Sequence, residues 1–301
     1  MTFNNFIFNT IKKSWEKHDT LLLETQQYPQ HITEFSSIFY TDKNNPELTL
    51  DIYQRQDCTH FQPAIILIHG GGLFYGDKRN NKLFGYELAN RGFTIFNINY
   101  QTAPKNGKMP QQVEDILLAL QWIYKEGINY RANTNQVFLI GDSAGAFLAV
   151  TAALAQKDSH LRYQFTEYQY PKMFLPNIAG IILISGMLHF YEKNLALTSW
   201  RKHTFKENYY MYPFWKSLQF DTLPEIKLLP PTLLISSEQD PLNAMTFHFE
   251  KILQKYKIPY SLFFFKRNKA KKLPHIFPIK YPYYDESQYI ISEISHFINA
   301  F

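Results

Sequence analysis

The sequence predicts an α/β fold in which helices flank a mostly parallel sheet. Strand-like and helix-like patterns alternate along the 301 residues, which is typical of parallel sheets. Residues 64–68 and 137–140 are continuous apolar runs, and such runs indicate strands buried on both faces. Glycine-containing turns follow both runs. We expect one domain spanning residues 1–301.

The order of the elements follows from the apolar periodicity and the turn residues. Strands are predicted near residues 37–41, 48–54, 64–68, 93–98, 136–140, 179–185, 231–237 and 260–265. Helices are predicted near residues 80–91, 110–126, 144–156, 243–257 and 286–300. Residues 4–24 have helical character, residues 158–177 form a tyrosine-rich polar insert, and residues 188–228 form an aromatic-rich insertion.

A GDSAG sequence at residues 141–145 lies between an apolar strand and an alanine-rich helical pattern. In this setting a Gly-x-Ser-x-Gly sequence forms a nucleophile elbow, a strained turn that exposes the serine hydroxyl. The flanking glycines leave room for the neighbouring strand and helix. We therefore predict Ser143 as a nucleophile.

An HGGG turn at residues 69–72 follows the apolar run 64–68. Glycines leave backbone N–H groups unshielded, so these groups can point at an oxyanion. We predict an oxyanion hole made by the N–H groups of Gly70, Gly71 and Ala144. Taken alone, the glycine run could equally be a flexible turn.

The HGGG and GDSAG motifs resemble those of the α/β-hydrolase carboxylesterases related to hormone-sensitive lipase and to the bacterial feruloyl-esterase-like group. Other segments that fit the family are residues 50–53, 76–78 and 99–104. The resemblance covers roughly residues 35–300. It implies the α/β-hydrolase fold, with an eight-stranded, mostly parallel sheet, helices on both faces and a cap. The cap elements are expected at residues 1–35 and 188–228.

In this fold the acid and the histidine follow the serine along the chain. Asp240 follows the predicted strand 231–237 and precedes Pro241 and Leu242, which matches the acid position of the family. Glu238 is an alternative acid. Either carboxylate could instead cap the helix that follows.

Three histidines lie downstream of Asp240. His248 and His296 fall inside predicted helices, whereas His275 lies in the loop after the last predicted strand. The base must lie in a loop at the carboxyl edge of the sheet, so we predict His275. In the family, the histidine that corresponds to His69 orders the oxyanion loop by hydrogen bonding.

The substrate pocket is predicted from the residues after the glycines and from the insertion. Leu73 and Phe74 follow the glycines, where many relatives carry Trp or Tyr. In relatives, an insertion like residues 188–228 caps the active site. Substrate clefts are mainly apolar, so we expect some of its rings, such as Tyr209 and Tyr210, to line the pocket. The alternative is that these rings only pack the insertion onto the body.

Composition and charge limit the partners. The net charge of +5 is modest and no nucleic-acid-binding motif is present, so we expect no nucleic-acid partner. The basic cluster at residues 266–272 is interpreted as a solvated loop or, alternatively, as an attractor of anionic substrates. Neither paired cysteines nor a His-x-x-x-His sequence occurs, so we expect no metal and no cofactor.

Location is predicted from similar observations. No apolar run is long enough to span a bilayer, and no signal peptide is visible. The single cysteine, Cys58, excludes an intramolecular disulfide and fits a reducing compartment. We expect a cytoplasmic protein. An exposed sheet edge would also allow the chain to form a homodimer.

These observations predict hydrolysis of a small-molecule carboxylic ester, with a short-chain acyl or acetyl group, through an acyl-enzyme. One alternative is an amide-cleaving relative, either a peptidase or an arylformamidase. A less favoured alternative is a non-catalytic small-molecule receptor, as in plant gibberellin receptors, which resemble the family but have lost the histidine.

Overall fold

The computed structural model describes residues 3–42, 44–104, 107–166, 173–190, 194–267 and 271–301, with the backbone alone for residues 3–5. Four predicted features therefore lie partly outside the described residues. They are the cap element 1–35, the polar insert 158–177, the insertion 188–228 and the basic cluster 266–272.

One eight-stranded sheet organises the described part of the chain. Its strands are β1 (Ile32–Phe39), β2 (Thr49–Arg55), β3 (Gln62–Ile68), β4 (Thr94–Ile98), β5 (Ala132–Asp142), β6 (Ile178–Ile184), β7 (Thr232–Ser237) and β8 (Tyr260–Phe265). The spatial order is β1-β2-β4-β3-β5-β6-β7-β8. β2 pairs antiparallel with β1 and β4, and every other neighbouring pair is parallel. The predicted mostly parallel sheet is thus confirmed.

Two strands begin at least four residues earlier than their apolar patterns predict. β1 begins at Ile32 rather than near residue 37, and its pairing with β2 shifts register between Phe35 and Ile38. β5 begins at Ala132 because this residue pairs with Gln62, while its apolar run begins only at Val137. Pairing with a neighbouring strand, rather than side-chain pattern, sets both beginnings.

Helices cover both faces of the sheet, as expected. The helices of the described residues are α1 (Phe3–Glu24), α2 (Lys82–Asn90), α3 (Gln111–Glu126), α4 (Ala144–Lys157), α5 (Ser159–Phe165), α6 (Leu195–Thr204), α7 (Pro213–Ser217), α8 (Asn243–Lys255), α9 (Phe277–Lys280) and α10 (Asp285–Asn299), of which six pack on the faces. Apolar side chains of α3, α4 and α8 bury against one face of the sheet, and those of α2, α9 and α10 against the other. In α10, Ile290, Ile294 and Ile298 recur every four residues and are all buried, as expected of an amphipathic helix.

α1 lies outside this layered arrangement and packs on the body through aromatic contacts. The ring of Phe8 stacks on His203 of α6 at 4.2 Å and meets Phe74 edge-on at 5.1 Å. Trp15 stacks on Phe74 at 5.3 Å. None of the helices in the described ranges combines the length and the apolar character needed to cross a membrane.

Four parallel strands end at the same edge of the sheet and place four loops there. The HGGG turn follows β3, and Ser143 lies between β5 and α4. Asp240 follows β7, and His275 lies between β8 and α9. Ligands of open α/β sheets bind outside the carboxyl ends of the strands, so this edge is where a site is expected.

Candidate active site

Ser143 lies in a strained turn between β5 and α4. Its backbone has φ +51° and ψ −115°, a region that residues with a side chain rarely occupy. A Cβ atom on Gly145 would lie 2.0 Å from the carbonyl oxygen of Ile68, and one on Gly141 would lie 2.3 Å from the oxygen of Gly145. Only glycine fits on both sides of the serine, so the turn brings the strand and helix backbones together.

Ser143, His275 and Asp240 form a continuous hydrogen-bonded chain. His275 Nε2 lies 3.0 Å from Ser143 Oγ, and His275 Nδ1 lies 2.9 Å from Asp240 Oδ1. Asp240 is 2% exposed and Ser143 9% exposed. This arrangement can remove a proton from the serine hydroxyl and stabilise the resulting imidazolium.

The Asp240 carboxylate is held ionised by its neighbours. Burial acts to raise its pKa, but hydrogen bonds from His275, Ser185 and the Leu242 N–H, together with the charge of His275, outweigh burial and hold the pKa below its ordinary value. The Leu242 N–H donates to Oδ1 at 2.8 Å. Ser185 also accepts from the Ile276 N–H at 3.0 Å, which fixes the backbone beside His275.

The other carboxylate and histidines considered for the site lie apart from Ser143, His275 and Asp240. Glu238 accepts from the backbone N–H of Arg267 at 2.7 Å and makes no contact with His275 among the described residues. His248 lies on α8 against Asp221. His296 lies on α10 with its side chain 72% exposed, beside Glu293. None of these three residues reaches Ser143.

The glycine turn offers fewer donors than the sequence predicts. The Gly70 N–H donates to Asp142 Oδ2 at 3.1 Å, so the structure does not leave this N–H available to an oxyanion. The Gly71 N–H has no acceptor among the described residues. Ala144 begins α4, and the first N–H groups of a helix have no intrahelical acceptor. Gly71 and Ala144 are therefore the predicted donors that the structure leaves available.

Several buried groups hold the glycine turn in place. Nδ1 of His69 lies 2.8 Å from the carbonyl oxygen of Gly70, and the His69 ring stacks on Tyr100 at 4.2 Å. The Tyr100 hydroxyl donates to the His69 carbonyl at 2.8 Å. Trp200 Nε1 donates to the Gly72 carbonyl at 2.7 Å. The turn is thus fixed from the sheet side and from α6.

A cavity of about 640 Å³ opens beside Ser143 and His275. This volume lies within the range of small-molecule pockets. Its lining is mostly apolar and comes from the glycine turn, from α1 and α6, and from the residues beside the acid and the histidine. The apolar side chains include Trp15, Leu22, Phe74, Met187, Leu197, Trp200, Leu242, Ile276 and Ile279. The cavity can hold a largely apolar small molecule against the serine hydroxyl.

A protein-family model covers most of the segments that form this site. The BD-FAE family model matches residues 50–245, which include the HGGG turn, the elbow and Asp240. The chain belongs to the BD-FAE family. The resemblance predicted from the HGGG and GDSAG motifs is thereby confirmed.

Curated relatives of this BD-FAE chain include esterases. An acetyl esterase of Salmonella enteritidis is 25% identical over 230 residues, which cover 71% of this chain and 65% of that protein. An isoprenylcysteine alpha-carbonyl methylesterase of Arabidopsis thaliana is 26% identical over 161 residues, which cover 53% of this chain and 37% of that protein. The BD-FAE chain thus matches less than two thirds of the length of each of these relatives.

Solved structures share the fold of the BD-FAE chain. A crystal structure of esterase B from Lactobacillus rhamnosis, with a tributyrin phosphonate, has a TM-score of 0.89 at 21% identity and covers 99% of this chain and 94% of that one. A hyperthermophilic esterase from Pyrobaculum calidifontis has a TM-score of 0.74 at 19% identity, covering 97% and 93%. The predicted α/β-hydrolase fold is confirmed.

Of the predicted pocket residues, only Phe74 lines the cavity. Leu73 is fully buried in the core, where its carbonyl accepts from Gln112 Nε2 at 2.7 Å. Tyr209 accepts from Arg201 Nε at 3.1 Å and packs on Trp215, and Tyr210 is 63% exposed. We therefore correct the predicted pocket by leaving out Leu73, Tyr209 and Tyr210. Leu73 has a positive φ of 69° and is buried in the core, whereas the two tyrosines pack away from the cavity.

A cap element was expected within residues 1–35, but the sequence did not predict which side chains of α1 line the cavity. Ser14, Trp15, His18, Asp19 and Leu22 all line it. They recur at helical spacing, so the helical pattern at residues 4–24 carried a signal. The side of the helix that faces the body depends on tertiary packing, which the pattern does not contain.

A second cluster of titratable side chains lies outside the cavity beside Ser143. His189, Asp221 and His248 each offer one ligand atom, and these atoms lie within 4.8 Å of one another. The expectation of no metal ligand rested on local spacing, and these residues are far apart in the sequence.

Proposed function

We propose that this protein hydrolyses carboxylic esters through a covalent acyl-enzyme on Ser143. The observation that carries the proposal is the hydrogen-bonded chain from Ser143 Oγ to His275 Nε2, at 3.0 Å, and from His275 Nδ1 to Asp240, at 2.9 Å. The strained turn at Ser143 supports it, since such a turn presents a nucleophile.

Acylation begins with proton transfer from Ser143 to His275 along the hydrogen-bonded chain. Ser143 Oγ attacks the ester carbonyl carbon while His275 Nε2 accepts the hydroxyl proton. Asp240 holds the tautomer in which Nδ1 carries hydrogen, and it stabilises the imidazolium. The N–H groups of Gly71 and Ala144 donate to the developing oxyanion. When the carbon–oxygen bond to the alcohol breaks, His275 returns the proton to the departing alkoxide.

Deacylation reverses these roles with water. His275 removes a proton from water, and the hydroxide attacks the acyl carbonyl. The bond to Ser143 Oγ then breaks, and His275 gives the proton back to the serine. The carboxylic acid leaves and the free serine is restored.

We propose small-molecule esters with short acyl groups as substrates. The cavity of about 640 Å³ is shared between the acyl and the alcohol parts of the ester, which favours small groups on the acyl side. Two of the similar proteins support this choice, one named an acetyl esterase and one crystallised with a tributyrin phosphonate. Residues of α1 and α6 serve as the cap in this proposal. A cytoplasmic location and a homodimer stay predictions from the sequence.

The test is a series of p-nitrophenyl esters from acetate to laurate, together with the p-nitroanilide that matches the best ester. Ser143→Ala should remove ester hydrolysis by about a millionfold, which leaves only background rates. Ser295→Ala is a matched control, because Ser295 only donates to the Ile291 carbonyl on α10. Ester activity retained above a few per cent by Ser143→Ala would refute the proposal, and faster anilide cleavage would assign the chain to amides.

A further inference from the structure

The second cluster brings together three side chains from separate segments of the fold. His189 lies in the segment after β6, Asp221 lies between α7 and β7, and His248 lies on α8. One ligand atom from each residue lies within 4.8 Å of the other two. From this geometry we propose that His189, Asp221 and His248 form a binding site for a Zn²⁺ ion, distinct from the serine site.

One of the distances is close to the spacing of two ligands of a tetrahedral zinc ion. Zinc binds nitrogen and carboxylate oxygen at about 2.0–2.2 Å, so its ligand atoms lie about 3.3 Å apart. His189 Nδ1 lies 3.4 Å from Asp221 Oδ2. His248 Nε2 and Asp221 Oδ1 are in direct contact. This contact is shorter than the spacing of two zinc ligands, so the His248 ring must turn away from the carboxylate when an ion binds.

The donor chemistry selects the type of metal. Two imidazole nitrogens and one carboxylate oxygen suit zinc, whereas calcium and magnesium take oxygen ligands. The two rings lie 4.2 Å apart at an angle of 55°, and each faces a different oxygen of the same carboxylate. Three protein ligands leave a fourth position for water, as in other three-ligand zinc sites.

The side chains are accessible enough for an ion to enter. Those of His189, Asp221 and His248 are 20%, 29% and 38% exposed. Such partial burial reduces competition from water and keeps an entry path open. A fully exposed set would hold its geometry less well, because each side chain would have to be ordered on binding.

The position of the cluster would let a bound ion link two segments of the fold. Met187, two residues before His189, donates its N–H to the carbonyl of Ser143 at 2.9 Å. α8, which carries His248, begins directly after the loop of Asp240. A zinc ion would therefore connect the segment behind the nucleophile to the helix behind the acid, which stabilises the folded chain.

The experiment is calorimetric titration of ZnCl₂ into the tag-free chain after chelator treatment. The wild type should bind one equivalent, and MgCl₂ and CaCl₂ should give no binding. His248→Ala and Asp221→Asn should each weaken zinc binding at least tenfold. Zinc should also raise the melting temperature of the wild type by a few degrees, and not that of the two variants.

Two control variants separate this site from other histidines. His275→Ala and His296→Ala should keep the wild-type zinc affinity. Binding that is lost in His275→Ala and kept in His248→Ala would place the zinc at the serine site and overturn the proposal. A wild type that binds no equivalent of zinc would also overturn it. If the variants fail to fold, zinc-edge X-ray absorption of the wild type must show two imidazoles and one carboxylate.

Discussion

The Asp142 carboxylate accepts a hydrogen bond from the Gly70 N–H at 3.1 Å and so joins the elbow to the glycine turn. Its other oxygen accepts from Asn81 Nδ2 at 2.9 Å. Burial raises the pKa of Asp142 to about 6, although the bonds from Asn81 and Gly70 and the charge of His275 act to lower it. The Asp142 carboxylate that joins the elbow to the glycine turn is therefore expected to gain a proton in mildly acidic solution.

Stability should depend on the titration of Asp142. A carboxyl group with a raised folded-state pKa favours folding most below its unfolded-state pKa, and this contribution is lost as the pH rises through about 6. Between pH 4 and pH 7, the free energy of unfolding of the wild type should therefore fall by about 2–3 kcal/mol relative to Asp142→Asn. Urea unfolding of both proteins at several pH values measures this difference. A difference that is constant with pH would contradict it.

Trp200 acts as a positioning residue for the glycine turn. Its indole N–H donates to the Gly72 carbonyl at 2.7 Å, so Trp200→Phe removes the bond and keeps most of the ring. We expect kcat on p-nitrophenyl acetate to fall about tenfold, which is the effect of one buried hydrogen bond. Trp122→Phe, on α3, is the matched control and should leave kcat unchanged. Equal kcat values for the two variants would exclude this role.

The identity of the acid can be decided with two amide variants. Asp240→Asn should lower kcat by about ten-thousandfold, because the amide favours the wrong histidine tautomer. Glu238→Gln should stay close to the wild type, because Glu238 contacts the backbone of Arg267 and not His275. Steady-state kinetics with one ester suffice. A larger loss in Glu238→Gln than in Asp240→Asn would reverse the assignment.

Acyl-chain preference should depend on α1. Trp15 lines the cavity, whereas Phe6 on the same helix is 64% exposed and does not. Trp15→Ala should raise the octanoate-to-acetate ratio of kcat/KM by about fourfold for each further methylene that becomes buried. Phe6→Ala should leave the ratio unchanged. If both variants shift the ratio equally, α1 does not form the pocket wall.

The local parts of the site could be predicted from the sequence, because each leaves a local pattern. The GDSAG elbow follows an apolar strand, and His275 lies in a loop after the last strand. Shared strand direction brings both to the same edge of the sheet. The helix boundaries near the core also follow from periodicity, as α3 and α8 show.

Contacts between distant segments could not be predicted in this way. The bond from Gly70 to Asp142 spans 72 residues, and it removes a donor that the glycine pattern alone suggested. Tyr209 and Tyr210 are aromatic, as many pocket residues are, but they do not line the cavity. The His189–Asp221–His248 cluster joins three elements and has no local spacing to reveal it.

The most direct test of the central claim is labelling of the native chain with a fluorophosphonate, followed by peptide mass spectrometry. A serine activated as described should be modified once, at Ser143, because phosphonylation needs both the activated hydroxyl and the oxyanion donors. His275→Ala should slow the labelling by several orders of magnitude. No modification of the folded wild type, or modification of a different serine, would contradict the assignment of Ser143 as the nucleophile.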